Sequence, residues 1–357
     1  MDKRCRYMII AVLLLLAVAG ITYIMVRPSF GYLPSGSRLA RIQNSPNYKN
    51  GQFRNLSPSP VMTTRKSRIS ALYDFFFADK KGIRPSAPLK AVKTDIRTIS
   101  TDTDCIIWFG HSSYMLQAGG KRFLVDPVFH AAAPLKIFNR PFPGTDIYRP
   151  EDIPRTDYLI ITHDHWDHLD CKTVKELNAK TGKVICPLGV GEHFEHWGYE
   201  PSRIVELDWY EEFTDVNGIA VHALPARHFS GRGLRQNKTL WASFMIVAPA
   251  MTLYIGGDGG YDTHFAEMGR RFSPISWAIL ENGQYNDAWR YMHTLPPQLE
   301  KIAEQIKPGH IMTVHHSKYA LSVHPWDEPL KNAARLKSAV AADVVIPAIG
   351  EVVPLNR

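Results

Sequence analysis

Within Thr162-His163-Asp164-His165-Trp166-Asp167-His168-Leu169-Asp170, three imidazoles and a carboxylate (His163, His165, Asp167 and His168) fall in six positions. Neutral imidazole nitrogen and carboxylate oxygen suit zinc and similar divalent ions. The four cysteines include no Cys-x-x-Cys pair, so a thiolate zinc site is not indicated. The cluster directly follows Tyr158–Ile161, an apolar run that reads as a buried strand. Alternation at a strand end can aim His163 and His165 at one ion while Asp167 and His168 face a second. A solvated polar patch is the bland alternative, and the crowding of imidazoles behind an apolar strand argues against it.

Two ions need more ligands than one loop supplies. Three further metal-competent side chains end apolar runs: His228 after Ile219–Ala223, Asp258 after Leu253–Gly257, and His315 after Ile311–Val314. Gly256 and Gly257 would let backbone come close to a site there. Spacing alone does not bring these residues together.

The elements that must position them are mostly short strands. Cys105–Phe109, Ser113–Gln117 and Arg122–Val125 read as strands, the last two joined through Gly119-Gly120 as a hairpin. Further strands are expected at Tyr158–Ile161, Lys183–Cys186, Ile219–Ala223, Ser243–Val247, Thr252–Ile255 and His310–Val314. Asp170 can cap a helix running to about Lys180, and another begins near Pro296 and stops at Pro308-Gly309. Strands with interspersed helices imply a layered α/β or α+β body. Four scattered cysteines exclude a disulfide framework, and 45% hydrophobic residues exclude a disordered chain.

Tyr7 to Val26 is an uncharged apolar run of about 30 Å as a helix, the thickness of a bilayer core. The run continues past the small-residue stretch Ala17-Val18-Ala19, which favours a retained single-pass anchor, of bacterial inner-membrane type, over a cleaved signal peptide. Basic residues flank both ends, so charge does not orient it. The expected organisation is a basic N-terminus over 1–6, an anchor over 7–26, a basic arm packing on the domain over 27–97 and a catalytic body over 98–357. The arm carries fourteen Lys/Arg against three Asp, whereas 98–357 carries 25 basic and 30 acidic residues. The net charge of +8 therefore describes the arm, which either attracts anionic lipid or is simply solvated. Residues 28–70 read as an irregular arm over the surface, with a short helix possible in Arg65–Phe77.

His163-x-His165-x-Asp167-His168 followed by His228, Asp258 and His315 resembles the metallo-β-lactamase superfamily. Within it the chain looks most like the phospholipases D that hydrolyse N-acylphosphatidylethanolamine, and their bacterial relatives. Supporting motifs are Gly51-Gln52-Phe53-Arg54-Asn55, Trp108-Phe109-Gly110-His111-Ser112, Asn237-Lys238-Thr239-Leu240-Trp241, Gly257-Asp258-Gly259-Gly260-Tyr261 and His324-Pro325-Trp326-Asp327-Glu328-Pro329. The resemblance runs from about residue 45 to the C-terminus. It implies a four-layer αββα sandwich with two Zn2+ per chain at one edge. His163, His165 and His228 would bind one zinc, and Asp167, His168 and His315 the other, with Asp258 bridging. His316 would be a neighbour and not a ligand. His293 falls where the phospholipase has a substrate-side histidine, but Met292 replaces the animal enzyme's Gln before it. His315-His316-Ser317-Lys318-Tyr319 also departs from the family's His-Trp-Gly-Thr-Phe.

The implied activity is attack of a metal-bridging hydroxide on a phosphodiester of an N-acylphosphatidylethanolamine-like lipid. Asp258 and Asp167 would serve the catalytic centre. His293 would assist the phosphoryl oxygen or leaving group, with Met292 beside the substrate. Asp126 and Asp170 are candidates for fixing imidazole tautomers; His111 is near the site without a role. The expected partners are a phospholipid or other small ester and the membrane surface, with no nucleic acid. A lactonase or other acyl-bond hydrolase could use the same ions. A nuclease is disfavoured by the acidic body. A flavin-coupled di-iron oxidoreductase would have Glu where His165 stands, and a non-catalytic scaffold would have lost ligands.

Overall fold

The computed structural model describes residues 2–64, 81–134 and 139–356. Helix α1 (Lys3–Met25) has no buried residue and leaves the body; it is long and apolar enough to cross a membrane. Part of the expected irregular arm is ordered: α2 (Gly36–Gln43) is followed by the small hairpin β1 (Tyr48–Lys49) and β2 (Gln52–Phe53). The helix expected within Arg65–Phe77 lies outside the described residues.

The body is two seven-stranded sheets. The first holds β3 (Cys105–Trp108), β4 (Tyr114–Ala118), β5 (Lys121–Val125), β6 (Thr156–Ile160), β7 (Thr181–Pro187) and β8 (Ile204–Leu207). The second holds β9 (Glu212–Thr214), β10 (Ala220–Leu224), β11 (Ser243–Ala248), β12 (Met251–Ile255), β13 (Ile275–Glu281), β14 (Pro308–Val314) and β15 (Asp343–Val345). β16 (Val352–Pro354) returns to pair antiparallel with β3. β3 to β5 and β9 to β12 are antiparallel meanders, whereas β5 to β8 and β12 to β15 run parallel. The β4–β5 hairpin turns on Gly119 and Gly120, both at positive φ, as a two-residue turn matching strand twist requires.

Period-2 alternation sorts the side chains into layers. Ile106, Phe123 and Ile160 of the first sheet meet Val221, Phe244, Trp277 and Met312 of the second in the central core. The opposite face of the first sheet, through Ile107, Leu124 and Val184, packs on α3 (Cys171–Leu177) and α4 (Gly191–His196). The outer face of the second, through Met245, Ala278 and Ile311, is covered by α5 (His264–Phe272), α6 (Pro296–Ile306) and α7 (Glu328–Ala339). The result is the αββα order.

Among the described residues, Arg38 and Arg41 of the arm are engaged by carboxylates of the acidic body. The Arg38 guanidinium meets Glu192 at 2.6 Å, Glu206 at 2.6 Å and Glu195 at 3.1 Å, and Arg41 meets Glu211 at 2.6 Å. These contacts settle what Arg38 and Arg41 do: each is paired on the body.

Candidate metal centre

The loops that follow β6, β10, β12 and β14 converge on one rim, beyond the strands' C-terminal ends, where α/β sheets form their ligand sites. His163 Nε2 lies 2.9 Å from His165 Nδ1, which lies 3.1 Å from His228 Nε2. Asp258 Oδ2 stands 3.9 Å from both His163 Nε2 and His228 Nε2, and 3.1 Å from His168 Nε2. Asp258 Oδ1 is 3.1 Å from His315 Nδ1, and Asp167 Oδ2 is 3.6 Å from His168 Nε2. All seven residues singled out as ligands thus meet, with Asp258 between the two groups.

The set fits metal ions. Burial and crowding push His163, His165, His228 and His315 below the ordinary imidazole range, so they are neutral donors. The two spacings at His165 Nδ1, 2.9 and 3.1 Å, are close to the roughly 3.3 Å edge of a tetrahedron with bonds of about 2.0–2.1 Å. His315 Nε2 is buried without a hydrogen-bond partner, and His168 Nε2 and Asp258 Oδ1, each 3.1 Å from a neighbouring ligand atom, make no well-formed hydrogen bond; this is an expensive state for polar atoms that a cation would relieve.

The surroundings set which nitrogen of three of the rings is free. His228 Nδ1 can only donate to the Met292 carbonyl, at 2.8 Å, which leaves Nε2 as the open lone pair. Asp126 Oδ2 accepts from His168 Nδ1 at 2.7 Å and from Thr162 Oγ1 at 2.6 Å, while its Oδ1 accepts from Thr162 N at 2.8 Å. With its proton so committed, Thr162 Oγ1 accepts from His163 Nδ1 at 3.0 Å. One carboxylate therefore orients two imidazoles. Asp170 does not share this role: it caps α3, accepting from Lys172 N at 3.2 Å, and takes His130 N at 2.9 Å.

Backbone strain gathers here. His111, Asp126, Gln284 and His315 are non-glycine residues at positive φ, a distribution typical of sites whose surroundings over-determine them. The left-handed turn at His315 throws its ring into the site just past β14. His316 is not among the converging groups: its ring bonds Thr313 Oγ1 at 3.2 Å and Ser317 Oγ at 2.8 Å. Gly257, at φ 60°, lies where a Cβ would stand 2.9 Å from Thr162 Cβ, so glycine alone lets β12 approach the His163 loop.

Comparison with known proteins agrees with this geometry. Residues 121–316 match the model of a beta-lactamase superfamily domain. The chain belongs to the beta-lactamase superfamily. Its fold is the metallo-β-lactamase fold, shared with the metallo hydrolase Igni18 of Ignicoccus hospitalis at a TM-score of 0.54 and 19% identity, covering 70% of this chain and 97% of that one. An uncharacterised protein of Mycobacterium tuberculosis is 34% identical over 314 residues, 87% of this chain and 84% of its own length. A Caenorhabditis elegans protein named N-acyl-phosphatidylethanolamine-hydrolyzing phospholipase D 1 is 28% identical over 231 residues, 60% of this chain and 64% of that protein.

Around the superfamily's metal rim lie residues that sequence reasoning missed or left without a role. His111 Nε2 holds Asp167 Oδ2 at 2.9 Å; it follows β3 just as His315 follows β14. Glu281, the last residue of β13, accepts from His293 Nδ1 at 2.8 Å and from Thr294 N. Burial pushes the Glu281 carboxyl up to about 6, and its charge raises His293 against the effect of burial. Asn55, from the arm, brackets the His228 backbone: its Oδ1 accepts from His228 N at 3.0 Å, and its Nδ2 donates to His228 O at 2.8 Å.

A cavity of about 220 Å3 opens on the metal rim, with Met292 and His293 in its wall and Val61, Met62, Phe229, Trp289 and Leu321 as its apolar lining.

Proposed function

We propose that this metal-dependent hydrolase is a membrane-anchored, dinuclear zinc phosphodiesterase of phospholipase D type, acting on N-acylphosphatidylethanolamine-like lipids. The observation that carries the reading is an apolar-walled cavity set directly against a ligand set with two groups of donors. The relative named for that lipid activity supports the substrate class. In this reading residues 1–6 flank a span over 7–26, the arm covers 27–97, and 98–357 is the hydrolase domain.

His163, His165 and His228 would hold one zinc, and Asp167, His168 and His315 the second, with Asp258 shared. When bound, such a pair supplies Lewis acidity toward phosphoryl oxygens and acidifies water at neutral pH. The chain's own residues do the rest. Asp126 and the Met292 carbonyl keep the proton on the far nitrogen of His168 and His228. His293, held by Glu281, presents its remaining ring edge to the cavity, placed to donate to a phosphoryl or leaving-group oxygen. Val61, Met62, Trp289 and Leu321 exclude water and give acyl chains an apolar wall.

The test is metal content and turnover on the purified full chain. Bis-p-nitrophenyl phosphate, N-acylphosphatidylethanolamine in mixed micelles and an acyl-homoserine lactone are compared side by side. About two zinc per chain with lipid phosphodiester cleavage, abolished in Asp258→Asn and His163→Ala with the fold retained, is the expected result. Lactone cleavage alone would overturn the substrate, and undiminished activity in Asp258→Asn would overturn the dinuclear mechanism.

A further inference from the structure

A second cavity, of about 270 Å3, lies at the foot of α1 and shares no lining residue with the one on the metal rim. Its lining mixes apolar and cationic side chains: Met25, Phe30, Leu33 and Leu234 are apolar, and Arg235 and Lys238, whose ammonium also donates to Gly51 O, are cations. Leu234 is 86% exposed, and Leu33, which lines the same cavity, is also exposed. Exposed leucines next to the end of a helix suited to cross a bilayer would sit at the depth where acyl chains meet headgroups.

The floor of this cavity is built firmly. Arg232 is buried and donates through Nε and Nη2 to Ser29 O at 2.9 and 2.8 Å. Through Nη1 it reaches the carbonyls of Asp164 and Leu169 at 2.8 and 2.6 Å, and its guanidinium stacks 4.1 Å over the Trp166 ring. Tyr32 N donates to His193 Nδ1 at 2.9 Å, and His193 Nε2 faces Asp164 Oδ2 at 3.3 Å. Gly31, at φ 73°, permits this approach: a Cβ there would stand 2.3 Å from His193 Nδ1. The segment leaving α1 is thus fastened to the back of the metal-ligand loop, and the cavity is preformed, which lowers the ordering cost of binding.

We propose that this cavity is a binding site for one anionic phospholipid of the surrounding bilayer, its phosphate against Arg235 and Lys238 and its chains against Met25, Leu33 and Leu234. The inference rests on the reading of α1 as a membrane span. The occupant is a lipid because the apolar wall is continuous with that span, and anionic because the two side chains at the mouth are cations while the Asp164 carboxylate is taken by His193, Thr239 Oγ1 at 2.9 Å and Gly231 N at 2.7 Å.

The test is native mass spectrometry of the full chain released from dodecylmaltoside micelles containing equal dioctanoylphosphatidylglycerol and dioctanoylphosphatidylcholine. One phosphatidylglycerol is expected per chain, preferred about tenfold. Leu234→Asp and Arg235→Glu should each reduce that occupancy about tenfold with bis-p-nitrophenyl phosphate turnover unchanged, since neither touches the metal rim. Equal retention of the two lipids, occupancy unaffected by both variants, or displacement by millimolar inorganic phosphate would overturn the proposal. Alkaline-carbonate extraction and N-terminal sequencing separate the two failures. A retained, carbonate-resistant α1 without bound phosphatidylglycerol defeats the cavity alone, and a chain lacking α1 defeats the span.

Discussion

Asp126→Asn changes one atom type at the point where two imidazoles are oriented, and its cost follows from the hydrogen bonds. The carboxylate accepts three: Thr162 N at one oxygen, and Thr162 Oγ1 and His168 Nδ1 at the other. An amide can meet these donors in two ways. With its oxygen toward Thr162 N, the NH2 faces His168 Nδ1 and Thr162 Oγ1. Both rings then adopt the tautomer with hydrogen on Nε2, the nitrogen that faces the other ligands. Imidazole tautomers interconvert readily, so the metal-free protein settles there with little loss of stability. Binding metal requires the opposite amide orientation, in which NH2 meets the buried Thr162 N–H donor to donor. That unsatisfied pair costs about 1–3 kcal/mol, or roughly 10–100-fold in zinc affinity. Zinc titration against a chromophoric chelator on the full chain measures the affinity, and denaturation of the chelated protein measures stability. Asp170→Asn is the control, because that carboxylate caps α3 and touches no imidazole. Zinc affinity of Asp126→Asn within twofold of the native protein would refute the tautomer argument.

Other residues give independent tests. Lys318 is 2% exposed and donates to Phe109 O at 3.3 Å and Val128 O at 3.1 Å; burial pushes its ammonium down to about 8. Below pH 8 both folded and unfolded chains carry the proton and the whole burial penalty is felt. Between about 8 and 10.5 only the unfolded chain keeps it, so native stability should rise by about 3 kcal/mol relative to Lys318→Met. Urea denaturation of both proteins at pH 7.5 and 10.5 reads this, and a pH-independent difference would contradict it. Glu281→Gln retains one acceptor for His293 and Thr294 but loses the charge, and kcat/KM should fall about tenfold, the worth of one charge-assisted hydrogen bond at about 1.5 kcal/mol. Unchanged turnover would remove His293 from the mechanism. Arg38→Ala leaves the buried Glu192 and half-buried Glu206 carboxylates without their guanidinium and should cost about 3 kcal/mol in unfolding free energy, against less than 1 if the pairs were merely superficial.

The metal-rim residues were legible because their chemistry is compressed. Four candidate donors fall within six positions, and His228, Asp258 and His315 each end an apolar run, the position from which a strand-end side chain can reach a rim. His111, placed near the site but given no role, follows the same rule in Gly110-His111-Ser112, and applying it there would have aimed His111 at the rim. Glu281 was hidden for a different reason. It ends β13, which pairs with β12 and β14 and is covered on both faces, so Ile275–Glu281 shows no alternation and reads equally as buried strand or buried helix. A strand that is not recognised cannot offer its last residue to the site. The edge strands β9, β15 and β16 have three residues each, too few for a period to register. Asn55 lies 173 positions from the His228 backbone it brackets, and no local pattern carries that separation.

The arm packs on the body as expected, but composition could not name its partners, and the reason is physical. Its basic residues suggested either lipid attraction or idle solvation, yet Arg38 and Arg41 are paired with body carboxylates across more than 150 residues of sequence. Net charge adds up side chains and says nothing about which acid each base faces. Once the pairs are known, the arm becomes part of the site. Ser29 and Tyr32 fasten the loop of His163 and His165, Asn55 brackets His228, and Val61 and Met62 line the cavity on the metal rim. The same segment continues directly from α1. A chain built this way holds its metal rim at a fixed distance from the end of α1, which is the arrangement a hydrolase needs if its substrate is presented at a membrane surface and must be met there without diffusing through water.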